Sequence, residues 1–154
     1  DLLAAGNSYS ADVQAGWYDA FNGLLLAGNG QGGFGSVLPG SCGFMVSEDA
    51  KAVNTLKSAD GRQLVLVSTN RGPLHVFAPV NAGNERLISL QLMDATAEIT
   101  LADGRTMKKE FYYGDTYLSQ SARWLAVPAG ATAVRVKTFG GQERSLSLND
   151  MAGK

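Results

Sequence analysis

Four aromatic residues with polar tips, Tyr112, Tyr113, Tyr117 and Trp124, fall within a short stretch near the C-terminal end of this 154-residue chain. Flat rings that carry OH or NH groups suit sugar faces and protein partners alike. The same residues also cap small β cores by bonding their tips to loops. Both readings stay open from sequence, and these four residues are the candidate ligand-binding set. Ser119, Gln120 and Ser121 lie between them. They are expected to hydrogen-bond the backbone of an irregular loop rather than to act as nucleophiles, because neither a base nor an oxyanion hole is visible nearby. Trp17, Tyr18 and Phe21, beside Asp19, form a second aromatic group expected to pack.

Reactive constellations are otherwise sparse. His75 and Cys42 are each the only residue of their type. That excludes an intrachain disulfide, a cysteine-based metal site and the histidine-dependent triads. Glu48 and Asp49 are neighbours, so on a strand they point to opposite faces and do not form an acid–base pair. Gly28-Asn29-Gly30-Gln31-Gly32-Gly33 could cradle phosphate only ahead of a helix N-terminus. The following Gly35 to Gly40, with Pro39, is expected to tolerate no helix, so the run reads as a hairpin turn. Catalytic residues, a metal and a cofactor are therefore not expected, and the chain is not read as an enzyme.

The elements that position these residues read as all-β. Apolar residues make up 45% and charged residues 18%, a globular balance, while 19 glycines punctuate short apolar runs. Net charge is −1, which gives no electrostatic reason to expect nucleic acid. Residues 1–100 hold 5 Lys/Arg against 9 Asp/Glu, a net of −4, and the remainder 8 against 5, a net of +3. A basic C-terminal third would favour an acidic partner, but Arg105, Lys108, Lys109, Arg135 and Lys137 are expected to be solvent-facing strand residues. No apolar run reaches the roughly 18 residues needed to span a bilayer.

Along the chain, residues 1–6 predict a short buried strand and Asn7 to Ala20 a long loop. Phe21–Ala27, Ala52–Lys57, Leu64–Val67 and Leu74–Phe77 predict further strands, with Leu64–Val67 covered on both faces. Ser47 to Ala50 could alternatively cap one helical turn. A polar linker from Asn81 to Arg86 is expected to divide the chain into units spanning 1–80 and 87–150. Beyond it, Ile88, Leu90 and Leu92 predict a half-buried strand, and Ile99 and Leu101 point inward. Asp103-Gly104 predicts a two-residue hairpin turn. Val134 and Val136 face in while Arg135 and Lys137 face out, and Leu146 and Leu148 return on the buried face. The fold class expected is all-β, with antiparallel blade-like meanders followed by a small β-sandwich or open barrel.

Residues 97 to 148 resemble the ASPIC/UnbV domain that closes FG-GAP/VCBS-repeat β-propeller proteins. The resemblance rests on Ala102-Asp103-Gly104-Arg105-Thr106, Gly114-Asp115-Thr116-Tyr117-Leu118-Ser119-Gln120-Ser121, and Ala133-Val134-Arg135-Val136 with Gly140-Gly141. Upstream, Asp1 to Asn7, Trp17 to Ala20 and Leu25 to Phe34 are similar to the last propeller repeats of large bacterial surface proteins. The resemblance implies a terminal β-propeller region in 1–80, an ASPIC/UnbV-like domain in 87–150, and a piece of a longer exported polypeptide. It further implies a surface lipoprotein at the bacterial outer membrane. Its partners would be the rest of its own propeller or other chains, including an outer-membrane nutrient transporter of the starch-utilisation type. The alternatives are a carbohydrate-binding module that takes a glycan on the Tyr112–Trp124 loop, or the non-catalytic end of an enzyme whose active site lies upstream. Propeller repeats of this kind carry Asp-rich calcium loops. Here the matching Ser58-Ala59-Asp60-Gly61 offers a single carboxylate, too few for a cation that takes six to eight oxygens.

Overall fold

The computed structural model describes residues 1–80, 85–114 and 116–148. The described residues are all-β, built as antiparallel sheets, none of which closes into a barrel among them. The expected unit boundary, Asn81 to Arg86, falls largely outside the described residues, as do Asn149 and Asp150 at the end of the second unit.

The N-terminal unit holds two consecutive three-stranded meanders. The first comprises β1 (Leu2–Ser8), β2 (Tyr18–Gly28) and β3 (Phe34–Val37), and the second β4 (Ala50–Lys57), β5 (Gln63–Thr69) and β6 (His75–Phe77). Their first strands, β1 and β4, belong to separate sheets and are in contact. The unit's core comes from Phe44, Val46, Ala50, Val65 and Val67. Strand β5 alternates as period two dictates: Val65 and Val67 are buried while Leu64 and Leu66 are only half covered. The expected burial of both faces is therefore incomplete.

One glycine makes this packing possible. Between Ala4↔Leu24 and Gly6↔Phe21, strand β2 carries one residue more than β1, a bulge at Asn22-Gly23. Gly23 has φ 93°, a conformation that other residues adopt only with strain. A Cβ there would lie 2.8 Å from the Phe44 carbonyl oxygen. The bulge also turns the Asn22 carbonyl toward Val46, whose N–H donates to it at 3.0 Å. Thus the segment that delivers Phe44 and Val46 to the core is seated on the kink of β2.

The C-terminal unit contains β7 (Arg86–Ser89), β8 (Asp94–Leu101), β9 (Thr106–Glu110), β10 (Trp124–Val127), β11 (Ala131–Thr138) and β12 (Glu143–Leu146). They form a four-stranded sheet, β12-β11-β8-β9, and a two-stranded pair, β10-β7. Both contribute to one core of Ala97, Ile99, Leu125, Val127, Val134 and Val136, flanked by Ile88, Leu90 and Leu146. Register places Val134 opposite Ile99 and Val136 opposite Ala97, as the alternation requires. The other face carries Lys108, Glu98 and Arg135 in one cross-strand row and Glu110, Thr96, Lys137 and Glu143 in the next. Opposite charges meet across these rows, with Lys137 3.8 Å and Arg135 4.0 Å from the Glu143 carboxylate. Lys108, Arg135 and Lys137 therefore sit on a solvated, internally balanced face, while Lys109, opposite Ala97, lies on the other face and Arg105 in the hairpin turn.

Several expectations are corrected. A one-turn helix, α1 (Pro39–Cys42), does form where none was expected; Pro39 stands in its first turn, where a missing N–H costs nothing, and Gly43 closes it at φ 73°. Ser47 to Ala50 is not helical and runs straight into β4. Leu2 and Leu3 of β1 are exposed, and Leu92 lies beyond the end of β7 and is exposed as well. In β6 the alternation holds, but the covered face bears His75 and Phe77 and leaves Val76 in solvent. The Asp103-Gly104 hairpin has three loop residues rather than two. Gly104 N–H donates to the Leu101 carbonyl and Leu101 N–H to that of Arg105, with only Gly104 at positive φ. Ser58–Arg62 and Thr138–Gln142 repeat that hydrogen-bond pattern, with Gly61 and Gly141 in the same role.

Candidate functional site

The aromatic stretch folds as a loop between β9 and β10, and its four candidate residues part company there. Tyr112 and Trp124 line one cavity of about 140 Å³ together with Thr55, Leu90, Glu110, Phe111, Gln120 and Arg123. Tyr113 lies outside that cavity. Its hydroxyl donates to the Leu92 carbonyl at 2.6 Å, its ring faces Phe139 at 6.4 Å, and the Arg123 guanidinium stands 4.3 Å above it. Tyr117 occupies the loop tip, 72% exposed, beside Leu118 at 88%.

Polar side chains of the loop are occupied with holding its shape, as their types suggest. Gln120 accepts from Gly114 N–H at 2.5 Å and donates to the Ser121 carbonyl at 3.0 Å. The Thr116 and Ser119 hydroxyls bond each other, and the Tyr112 hydroxyl bonds the Glu110 carboxylate. Arg123 donates to the backbone carbonyls of Asp94 and Tyr112. Such a frame leaves Tyr117 and Leu118 projecting from a fixed base. Leu118 adopts φ 48°, a left-handed conformation uncommon outside glycine, and one worth a functional question where it occurs.

A second polar cluster surrounds Asp49, which is buried at the start of β4. Lys51 pairs with one carboxylate oxygen, while Ser10 Oγ (3.0 Å) and Asn70 Nδ2 (3.1 Å) donate to the other. The Lys51 bond, reinforced by Asn70 and Ser10, holds the carboxyl down at about 2. Nearby, buried Asn7 accepts from the N–H groups of Ala20 and Phe21, and the Tyr9 hydroxyl donates to the Ser47 carbonyl at 2.8 Å and to Asp19 at 3.1 Å. Burial, then the Asp19 carboxylate, pushes the Tyr9 phenol up. Glu48 lies in a bend ahead of β4 rather than on a strand, and points elsewhere, its carboxylate 3.1 Å from His75 Nε2. Through Asp49 and Asn70, Ser10 ties the long 9–17 loop to the second meander. Sequence reading did not single out Asn7, Tyr9, Ser10 or Asn70, because contacts between residues 10 to 60 positions apart leave no local pattern.

Of the second aromatic group, Phe21 is half-buried while Trp17 and Tyr18 are exposed. The Trp17 ring lies tilted against Tyr9 with centroids 4.8 Å apart, and the half-buried Cys42 thiol faces the Pro39 carbonyl. The Asp60 carboxylate is held by the Ser58 hydroxyl and by Arg62 Nε at 2.7 Å, which keep it below the usual carboxylate value. Asp103 is lowered likewise by the Arg105 N–H and guanidinium. Among the described residues no group of three or more His, Cys, Asp or Glu is placed to hold a metal ion, and no helix is long and apolar enough to cross a membrane.

No protein-family model, curated protein or solved structure matches the chain.

Proposed function

We propose that this chain is a non-catalytic binding or scaffolding module of a larger exported β-propeller protein, displayed at the bacterial cell surface. The observation that carries the binding role is the Tyr117–Leu118 tip: two large side chains projecting into solvent from a loop in which Thr116, Ser119 and Gln120 are bonded to their neighbours. Aromatic anchors on a rigid base suit recognition, because little freedom is lost when they are covered. The propeller assignment draws support from two successive meanders that touch through their first strands, as neighbouring blades do. The partner on this reading is a protein chain, such as an outer-membrane transporter complex or the remainder of the same polypeptide.

A photo-reactive phenylalanine analogue in place of Tyr117 tests it on intact cells. Cross-linking to one discrete protein, absent when the analogue replaces Lys108 on the charged sheet face, is the expected result. Equal labelling from both positions would end the proposal. A glycan reading has one observation in its favour, since Tyr112 and Trp124 share a cavity with Glu110 and Gln120. Glycan-array binding lost in Tyr112→Ala but kept in Tyr117→Ala would select that reading instead.

A further inference from the structure

The loop bearing the exposed tip is anchored outside its own unit. Strand β4 lies at the edge of the second meander, with β5 on one side. Thr55, paired with Val65 of β5, has both backbone groups taken by the loop. Its N–H donates to Ser121 Oγ at 3.2 Å, and its carbonyl accepts from Ala122 N–H at 2.8 Å. One position earlier, Asn54 Oδ1 accepts from Thr116 Oγ1 at 2.8 Å. These bonds join residues more than sixty positions apart in sequence. On its own side the loop is held by Arg123, through the Asp94 carbonyl, and by Gln120.

We propose that Thr116–Ala122 is a latch: the C-terminal unit supplies the missing neighbour for the β4 edge, so that the two units open as a single cooperative body. An uncovered strand edge presents unpaired N–H and C=O groups that invite pairing with another chain, and folds cover such edges with loops. Thr55 is such a place, and its cover comes from the other unit. The Thr and Ser residues of the run Gly114–Ser121 thereby acquire a role distinct from the Tyr117–Leu118 tip. Thr116 and Ser121 reach the neighbouring unit, and Ser119 braces Thr116.

Residue-resolved hydrogen exchange across a denaturant series tests this. In the wild-type chain the Thr55 amide is protected, and the slowest amides of β5 and β8 respond to denaturant together. In Thr116→Val/Ser121→Ala, Thr55 exchanges roughly tenfold faster, the upper range for one lost hydrogen bond, and the two sets separate, with the N-terminal sheet opening first. Leu118→Ala, at an exposed position in the same loop, leaves both readings unchanged. An unprotected Thr55 or already separate sets in the wild type would overturn the latch. So would a double variant that behaves as wild type, or a Leu118→Ala effect equal to that of the double variant.

Discussion

Asp49 shows how much one carboxylate can hold. It is buried, paired with Lys51 and bonded by Ser10 and Asn70, so it reaches from β4 to the 9–17 loop and to the end of β5. Its folded value of about 2 lies below the ordinary 3.8. A lowered carboxyl contributes stability that is fully present above the unfolded value and is lost as pH falls through the folded one. The window here runs from about pH 4 down to about pH 2. Melting temperatures measured from pH 6 to pH 2 should therefore fall most steeply in that window. Asp49→Asn should lower the plateau at neutral pH and flatten the descent, leaving the smaller share owed to Asp60 and Asp103, which are lowered too. An unchanged acid limb in the variant would detach Asp49 from it.

Strands and turns were the most legible level. Alternation at Val134, Arg135, Val136 and Lys137 gave the correct faces because one face meets a core and the other meets water. Gly61, Gly104 and Gly141 marked real turns, but their three-residue form depends on a hydrogen-bond pattern that composition does not display. The β2 bulge was illegible for a similar reason: Asn22-Gly23 reads as ordinary strand until Phe44 is seen against it. Likewise the four candidate aromatics, close in sequence, were separated by chain direction, and only Tyr112 and Trp124 meet one cavity. Gly23→Ala would meet both a disfavoured φ and the Phe44 carbonyl oxygen at 2.8 Å, costing about 1–3 kcal/mol from the backbone conformation alone. Urea unfolding should register that loss, whereas Gly30→Ala, also at positive φ but with open space around it, should lose only the conformational part. Equal losses at the two positions would mean that the bulge is not a close-packed joint.

At the scale of the molecule, two cores of similar make-up are joined by a loop bonded to a strand edge, and large apolar side chains such as Trp17, Leu38, Leu74 and Tyr117 remain in solvent. Charge is balanced locally across the solvated sheet face and within the turns. At Asp60 the cation is a guanidinium on the same turn, so added Ca²⁺ should leave the melting temperature unchanged; a rise that saturates with Ca²⁺ would show that the turn can rearrange to take the ion. That turn has a twin. Ala59-Asp60-Gly61-Arg62 and Ala102-Asp103-Gly104-Arg105 are the same four residues, each closed by an Asp–Arg contact of 2.7 Å, one in either unit. An antibody raised against a cyclic peptide of that tetrapeptide would find two epitopes on every copy of the chain, and would cross-link a monomer as though it were bivalent.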